Sequence, residues 1–200
     1  MIELYTWGTP NGKKVPIFLE EAEVPYDLHR VDISKGEQHA PEYLAKNPNG
    51  RIPALVDGDA GVTIFESGAI LLYLADKYGK LIPKDAQGRA SALAWLMFQM
   101  SAIGPMMGQV GYFDREKKRN AGAIERFTVE VKRIFGVLET HLAKTEYLAG
   151  EYSIADIASY PWVSAYDFLK LDITPYPHVK AWIDKIAARP AVKKALDRVG

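Results

Sequence analysis

The 200-residue chain contains no cysteine. This excludes structural disulfides, thiolate-bound metals and a catalytic thiol carried by the protein itself. Its four histidines, His29, His39, His141 and His178, are far apart and form no i,i+4 pair, so no metal-ligand set is expected. Net formal charge is also lacking, with 25 Lys+Arg against 25 Asp+Glu, which argues against nucleic acid as a main partner. No uninterrupted apolar run approaches the roughly 18 residues needed to span a bilayer. The first residues do not have the basic, apolar and small-residue order of a signal peptide, so a cytoplasmic chain with no membrane partner is the expectation.

Hydrophobic residues make up 48% of the chain and aromatics 11%, enough for one large or two small packed interiors. Charge is unevenly placed. Residues 1–79 carry 7 Lys+Arg against 12 Asp+Glu, leaving 18 against 13 for residues 80–200. An acidic front and a basic rear are expected to attract one another, within a chain or between two chains.

The opening stretch sets the organisation. Ile2, Leu4, Tyr5 and Thr6 favour a strand, Gly8 turns the chain, and Val15, Phe18, Leu19 and Ala22 recur at helical spacing from a helix that begins near Pro10 to Gly12. The unpaired N–H groups and positive dipole of such a helix start suit an anion. In redox domains of the thioredoxin type a Cys-x-x-Cys pair occupies this kind of corner; here Thr9-Pro10-Asn11-Gly12 stands there. Neither the hydroxyl nor the amide is a useful nucleophile unaided, so any sulfur chemistry needs sulfur brought by a ligand.

Alternation over Pro25–Asp32 predicts a second strand, and Pro41 to Lys46 a short helix with proline in its first turn. The runs 52–57 and 62–65, joined by Gly58-Asp59-Ala60-Gly61, predict a hairpin. Ser67 near the cap and Gly79 at the end bound a further helix. Residues 80–86 read as a linker, after which strand signals disappear. Helical patterns cover 87–112, interrupted at Gly104-Pro105, and 120–143, then run from the capping box Ser153-Ile154-Ala155-Asp156 toward Leu169. Two shorter ones follow at about 176–188 and 190–197. The expected domains are therefore 1–79, a linker 80–86, and an all-helical 87–200.

Three blocks give this pattern a family. Asn49-Gly50-Arg51-Ile52-Pro53-Ala54-Leu55, Glu66-Ser67-Gly68-Ala69-Ile70 and Ser153-Ile154-Ala155-Asp156-Ile157-Ala158 resemble those of the cytosolic glutathione transferases over essentially the whole chain. Thr9-Pro10-Asn11-Gly12-Lys13 and Gly104-Pro105-Met106-Met107-Gly108-Gln109 are similar to the bacterial nu class, relatives of the yeast nitrogen-catabolite regulator. The resemblance implies an α/β thioredoxin-like N-terminal domain (βαβαββα) with an all-α C-terminal domain. It also implies a homodimer, and glutathione-dependent disulfide-bond oxidoreductase activity with reduced or oxidised glutathione as co-substrate and no metal. It further implies a cis Pro53, with the backbone of Ile52 turned outward to pair with the cysteinyl peptide unit of glutathione.

The residues suit that ligand. Ser67 at a helix start offers donors to the γ-glutamyl carboxylate, and Glu66 is a partner for the γ-glutamyl ammonium. The thiol would face Thr9 and Asn11, whose donors favour thiolate; each unit of pKa lowering needs about 1.4 kcal/mol. By resemblance, Gln38 contacts the glycyl end and Arg126 faces the site from the helical domain. Structural roles stand beside these: Ser67 and Asn11 as helix-start residues, Gln38 and Arg126 as solvated groups, Met97, Met100, Met106 and Met107 as core or as a soft wall of the site. Ser153 and Asp156 read as a folding signal alone, and Tyr5 as core. Two functions follow. In the first, a bound glutathione thiolate attacks a small disulfide or electrophile; in the second, the fold is a non-catalytic regulatory or assembly module.

Overall fold

The computed structural model describes residues 1–115 and 119–200 and divides into two compact units, Met1–Leu81 with Ala188–Gly200, and Ile82–Ala187.

In the first unit β1 (Ile2–Thr6) leads through the corner into α1 (Pro10–Glu21) and back to β2 (Tyr26–Arg30). A 3-10 turn at Glu37–His39 and the one-turn α2 (Pro41–Leu44) precede the hairpin β3 (Ala54–Asp57) and β4 (Val62–Phe65), and α3 (Ser67–Tyr78) closes the βαβαββα order. The sheet order is β2-β1-β3-β4, with β1 parallel to β2 and antiparallel to β3, and β3 antiparallel to β4. Every second residue of β1 is buried, and Leu4, Val15, Phe18, Leu19, Leu55, Ile70, Leu71 and Leu74 are fully enclosed. Each such side chain contributes about 1.5–3 kcal/mol by leaving water.

The far end of α3 is tied to the sheet by Asp57. The Tyr73 hydroxyl donates to this buried carboxylate at 2.6 Å, Lys77 pairs with it, and Gly79 in the left-handed conformation ends the helix. Burial pushes the Asp57 carboxyl up, but Lys77, Tyr73 and the Ala60 N–H outweigh it and bring it down to about 2.

The last helix, α9 (Pro190–Val199), packs on α1 and so stands in the first unit, although the sequence pattern expects the helical domain to run to residue 200. Two glutamates at the end of α1 explain it. Glu21 pairs with Arg189, Glu20 with Lys194 and Arg198, and Val192, Ala195 and Val199 turn inward.

The second unit is all helical: α4 (Ala86–Phe98), α5 (Gly104–Arg115), α6 (Ala121–Leu142), α7 (Ile154–Val163) and α8 (Pro177–Ala187). The expected break at Gly104-Pro105 is instead a π-helical turn at Gln99–Ile103, followed after Gly104 by Pro105, which lacks the N–H of a normal helical bond. The stretch Ala86–Arg115 is long and apolar enough to cross a membrane by length and composition, yet Ala92, Leu96, Ile103 and Met107 form core inside this unit. Ser153 and Asp156 form the anticipated capping box of α7, which ends at Val163 rather than near Leu169.

Candidate functional site

The sheet register decides which loops meet. Ala54, the first residue of β3, lies opposite Tyr5 near the end of β1 and opposite Phe65 at the end of β4. The segments beyond those residues, Trp7–Asn11, Ile52–Pro53 and Glu66–Ser67, therefore emerge at one end of the sheet. With strands about 4.8 Å apart, three neighbouring strands place them within roughly 10 Å across the sheet.

At the first of these segments Thr9 caps α1 in extended conformation (φ −92°, ψ 164°), its Oγ1 accepting from the Gly12 N–H at 3.2 Å. A hydroxyl that accepts this bond keeps its own hydrogen for another acceptor. Asn11, the second helical residue, is half-buried beside it. The turn is held from below, where Thr6 Oγ1 donates to the Gly12 carbonyl at 2.9 Å and the Thr9 N–H to the Trp7 carbonyl at 2.7 Å. Gly12 is there by necessity, since a Cβ on it would lie 1.9 Å from the Trp7 carbonyl oxygen.

At the second segment the Ile52–Pro53 bond is cis, as the resemblance implied. Sheet pairing begins only at Ala54, which leaves the half-buried Ile52 outside the ladder. The preceding Arg51 carbonyl is fixed by the Tyr43 hydroxyl at 2.5 Å and Asn47 Nδ2 at 2.6 Å. His39 packs on Gly50, where a Cβ would meet His39 Nδ1 at 3.0 Å, so the 3-10 turn carrying Gln38 sits beside this loop. Gln38 Nε2 approaches the His39 ring at 3.2 Å, while its Oε1 is buried with no hydrogen-bond partner among the described residues.

The third segment holds the unusual backbone. Glu66 is exposed and has φ +69°, ψ 115°, a region costing a non-glycine residue about 1–3 kcal/mol that is maintained mainly at functional places. It leads into Ser67, which is 3% exposed at the start of α3. Ser67 Oγ accepts from the ammonium of Lys14, a lysine of α1 that is 0% exposed. Burial pulls the Lys14 amine down to about 7, against the opposing pull of Glu66.

Lys14 is the residue that sequence reasoning missed. Its signal was present: it stands four residues before Phe18, on the stripe that α1 turns inward. A lysine there ordinarily runs its stem along apolar surface to reach water. Thr9, Asn11, Gln38, Ile52, Pro53, Glu66 and Ser67 all belong to the first unit, whereas Arg126 is an exposed residue of α6 in the second.

What gathers at this end of the sheet is a helix start with a donor hydroxyl, a segment of unpaired strand, and a second helix start beside a buried amine. Each is suited to a polar, anionic, peptide-like molecule. Residues 1–76 match the family model for the glutathione S-transferase N-terminal domain, and 95–190 that for the C-terminal domain. The disulfide-bond oxidoreductase YfcG of Escherichia coli K12 is 46% identical over 203 residues, covering 98% of this chain and 94% of that protein. Two solved structures superpose with a TM-score of 0.91. One, a glutathione transferase family member from Pseudomonas fluorescens pf-5 with two glutathione bound, is 44% identical and covers 98% of this chain and 92% of its own. The other, a glutathione transferase from Pseudomonas putida with one glutathione disulfide bound per subunit, is 40% identical and covers 100% and 92%. The chain belongs to the glutathione S-transferase family.

Proposed function

We propose that this protein is a glutathione-dependent disulfide-bond oxidoreductase, with transfer to electrophiles as a further reaction of the same bound thiolate. The observation that carries the reading is the meeting of the Thr9 cap, the Ile52–Pro53 segment and Glu66–Ser67 at one sheet end in a chain without cysteine. The relatives named above, one an oxidoreductase by name and two with glutathione or its disulfide bound, support it.

In this reading Ser67 and the N–H groups of α3 take the γ-glutamyl carboxylate, Glu66 the γ-glutamyl ammonium, and the Ile52 backbone the cysteinyl peptide unit. Gln38 takes the glycyl end. Thr9 and Asn11 donate to the sulfur, with the α1 dipole behind them. A cysteine thiol titrates near 8.5 unperturbed, and one or two charge-assisted hydrogen bonds suffice to bring it to neutral pH. The thiolate attacks one sulfur of a small disulfide and expels the other as a thiol. A second glutathione then attacks the mixed disulfide, giving oxidised glutathione and the second thiol. Each disulfide reduced consumes two glutathione molecules. A cytoplasmic location and a homodimer belong to the same proposal, the latter because members of the family are generally dimeric.

The test is glutathione-dependent reduction of hydroxyethyl disulfide, coupled to glutathione reductase. Thr9→Ala and Asn11→Ala are each expected to lose roughly 10- to 100-fold in kcat/KM, the worth of one hydrogen bond to a charged group. Undiminished turnover in both variants contradicts the assignment. Tight glutathione binding by the wild-type protein without any turnover favours the non-catalytic module.

A further inference from the structure

The turn that leads into β3 is fastened at one atom. The Arg51 carbonyl oxygen accepts from the Tyr43 hydroxyl at 2.5 Å and from Asn47 Nδ2 at 2.6 Å, so both of its lone pairs are used. Both donors are themselves fixed. Tyr43 is 4% exposed, its ring edge-on to Tyr5 and packed with Val31, Ala54 and Ile52. Asn47 is 2% exposed, and its Oδ1 accepts from the Asn49 N–H at 3.0 Å. Its main chain closes the same turn, with the Gly50 N–H donating to the Asn47 carbonyl at 3.0 Å and the Asn47 N–H to that of Tyr43 at 2.9 Å. Arg51 is exposed, and what the pair holds is its backbone. One donor satisfies a carbonyl; a second, from another direction, also stops the peptide plane from turning.

The orientation carries over to the next atom of that plane. Among the described residues the cis bond is Ile52–Pro53, so the unit between Arg51 and Ile52 is trans, and its N–H and C=O point in opposite directions. Aiming the Arg51 carbonyl at Tyr43 and Asn47 aims the Ile52 N–H away from them. Among the described residues none accepts a hydrogen bond from it, and Ile52 lies outside the strand ladder.

We propose that Tyr43 and Asn47 are positioning residues for glutathione: by holding the Arg51 carbonyl they present the Ile52 N–H to the carbonyl of the cysteinyl peptide unit. This depends on the reading of Ile52 given above and deepens it. An extended peptide laid against a strand gains affinity from such main-chain bonds, and a donor already aimed in the free protein needs no ordering when the ligand arrives. The pair therefore acts on the backbone of the tripeptide, whereas Thr9 and Asn11 act on its sulfur. Loosening the plane weakens binding and leaves the acidity of the bound thiol unchanged.

The experiment follows the Ile52 amide by NMR in isotopically labelled protein titrated with S-methylglutathione, with the coupled hydroxyethyl disulfide assay alongside. In the wild-type protein the Ile52 amide proton is expected to move downfield on binding and its exchange with solvent to slow. Tyr43→Phe removes one donor and keeps the ring. It should weaken binding about 2- to 10-fold, the worth of one neutral hydrogen bond, and diminish both Ile52 responses at saturation. Asn47→Ala should act at least as strongly. In the assay, KM for glutathione should rise in both variants, while kcat and its pH profile stay at wild-type values. Wild-type affinity with a wild-type Ile52 response in the folded variants overturns the proposal, even where thermal stability has dropped. So does a fall in kcat with KM unchanged. Binding to the wild-type protein without any response at Ile52 removes the reading of Ile52 itself, and the proposal with it. If Asn47→Ala fails to fold, Tyr43→Phe decides alone.

Discussion

Thr9 illustrates how one side chain serves both the fold and the proposed chemistry, because the oxygen that caps α1 leaves a hydrogen for an incoming anion. The geometry tolerates nothing larger two residues into the helix. Gly12→Ala places a methyl group 1.9 Å from the Trp7 carbonyl oxygen and 2.7 Å from Thr6 Oγ1, both parts of the turn that positions Thr9. We expect it to destabilise the protein by about 1–3 kcal/mol, the usual cost of overpacking, and to lower disulfide reduction through displacement of Thr9. Denaturant unfolding and the coupled assay check this, and wild-type values in both show that the turn yields freely. Gly12 was legible in the sequence only as part of a turn, since its need arises from a carbonyl five residues earlier brought against it by the corner. The inward place of Lys14 on α1 could be read from its spacing to Phe18, but its partner could not. Its partner Ser67 lies 53 positions away, and spacing along one helix does not reveal what faces it across the core.

Elements were more readable where local chemistry determines them. The start of α1 near Pro10, the cap at Ser153, the end of α3 at Gly79 and the β3–β4 hairpin are each specified by a few adjacent residues, and the sequence places them accordingly. At Gly104-Pro105 the sequence marked an interruption but not its π-helical form, and the pattern of apolar residues did not mark the end of α7 at Val163. The capping box of α7 reaches further than its motif suggests. Asp156 accepts from the Ser153 N–H at 3.1 Å, but also from the Leu148 N–H at 3.0 Å and from Trp182 Nε1 on α8 at 2.9 Å. Replacing it strands three donors inside the unit, so Asp156→Ala is expected to cost about 2–4 kcal/mol. Burial pushes this carboxyl up to about 6, against the pull of those same donors. An acid whose folded pKa is raised binds more protons folded than unfolded, so its contribution is complete below about pH 4 and is lost as pH rises toward 6. The stability difference between wild type and Asp156→Asn should therefore narrow over that interval in urea unfolding. A constant difference from pH 4 to 6 rules out the titration.

At the scale of the whole chain the structure revises an electrostatic expectation. Residues 1–79 are acidic, with 7 Lys+Arg against 12 Asp+Glu, which suggests an acidic front half seeking a basic partner. The first unit also contains Lys80 and residues 188–200, where Arg189, Lys193, Lys194 and Arg198 face a single Asp197, so its totals become 12 against 13. The second unit, 82–187, correspondingly holds 13 against 12. The attraction read from the sequence is largely consumed inside the first unit, where α9 delivers its cations to Glu20 and Glu21. A homodimer therefore has to be held by something other than opposite net charges, and side chains such as Phe65 in the first unit and Met97 in the second, 37% and 52% exposed, offer apolar surface instead. Screening shortens the reach of exposed charges from about 10 Å at 0.1 M salt to about 3 Å at 1 M, but leaves apolar burial intact. Sedimentation equilibrium is thus expected to give twice the chain mass both at low salt and at 1 M sodium chloride. A monomer in both conditions removes the dimer from the proposal. A dimer at low salt that separates at 1 M means that paired charges between chains, invisible in the balance of each unit, carry the contact.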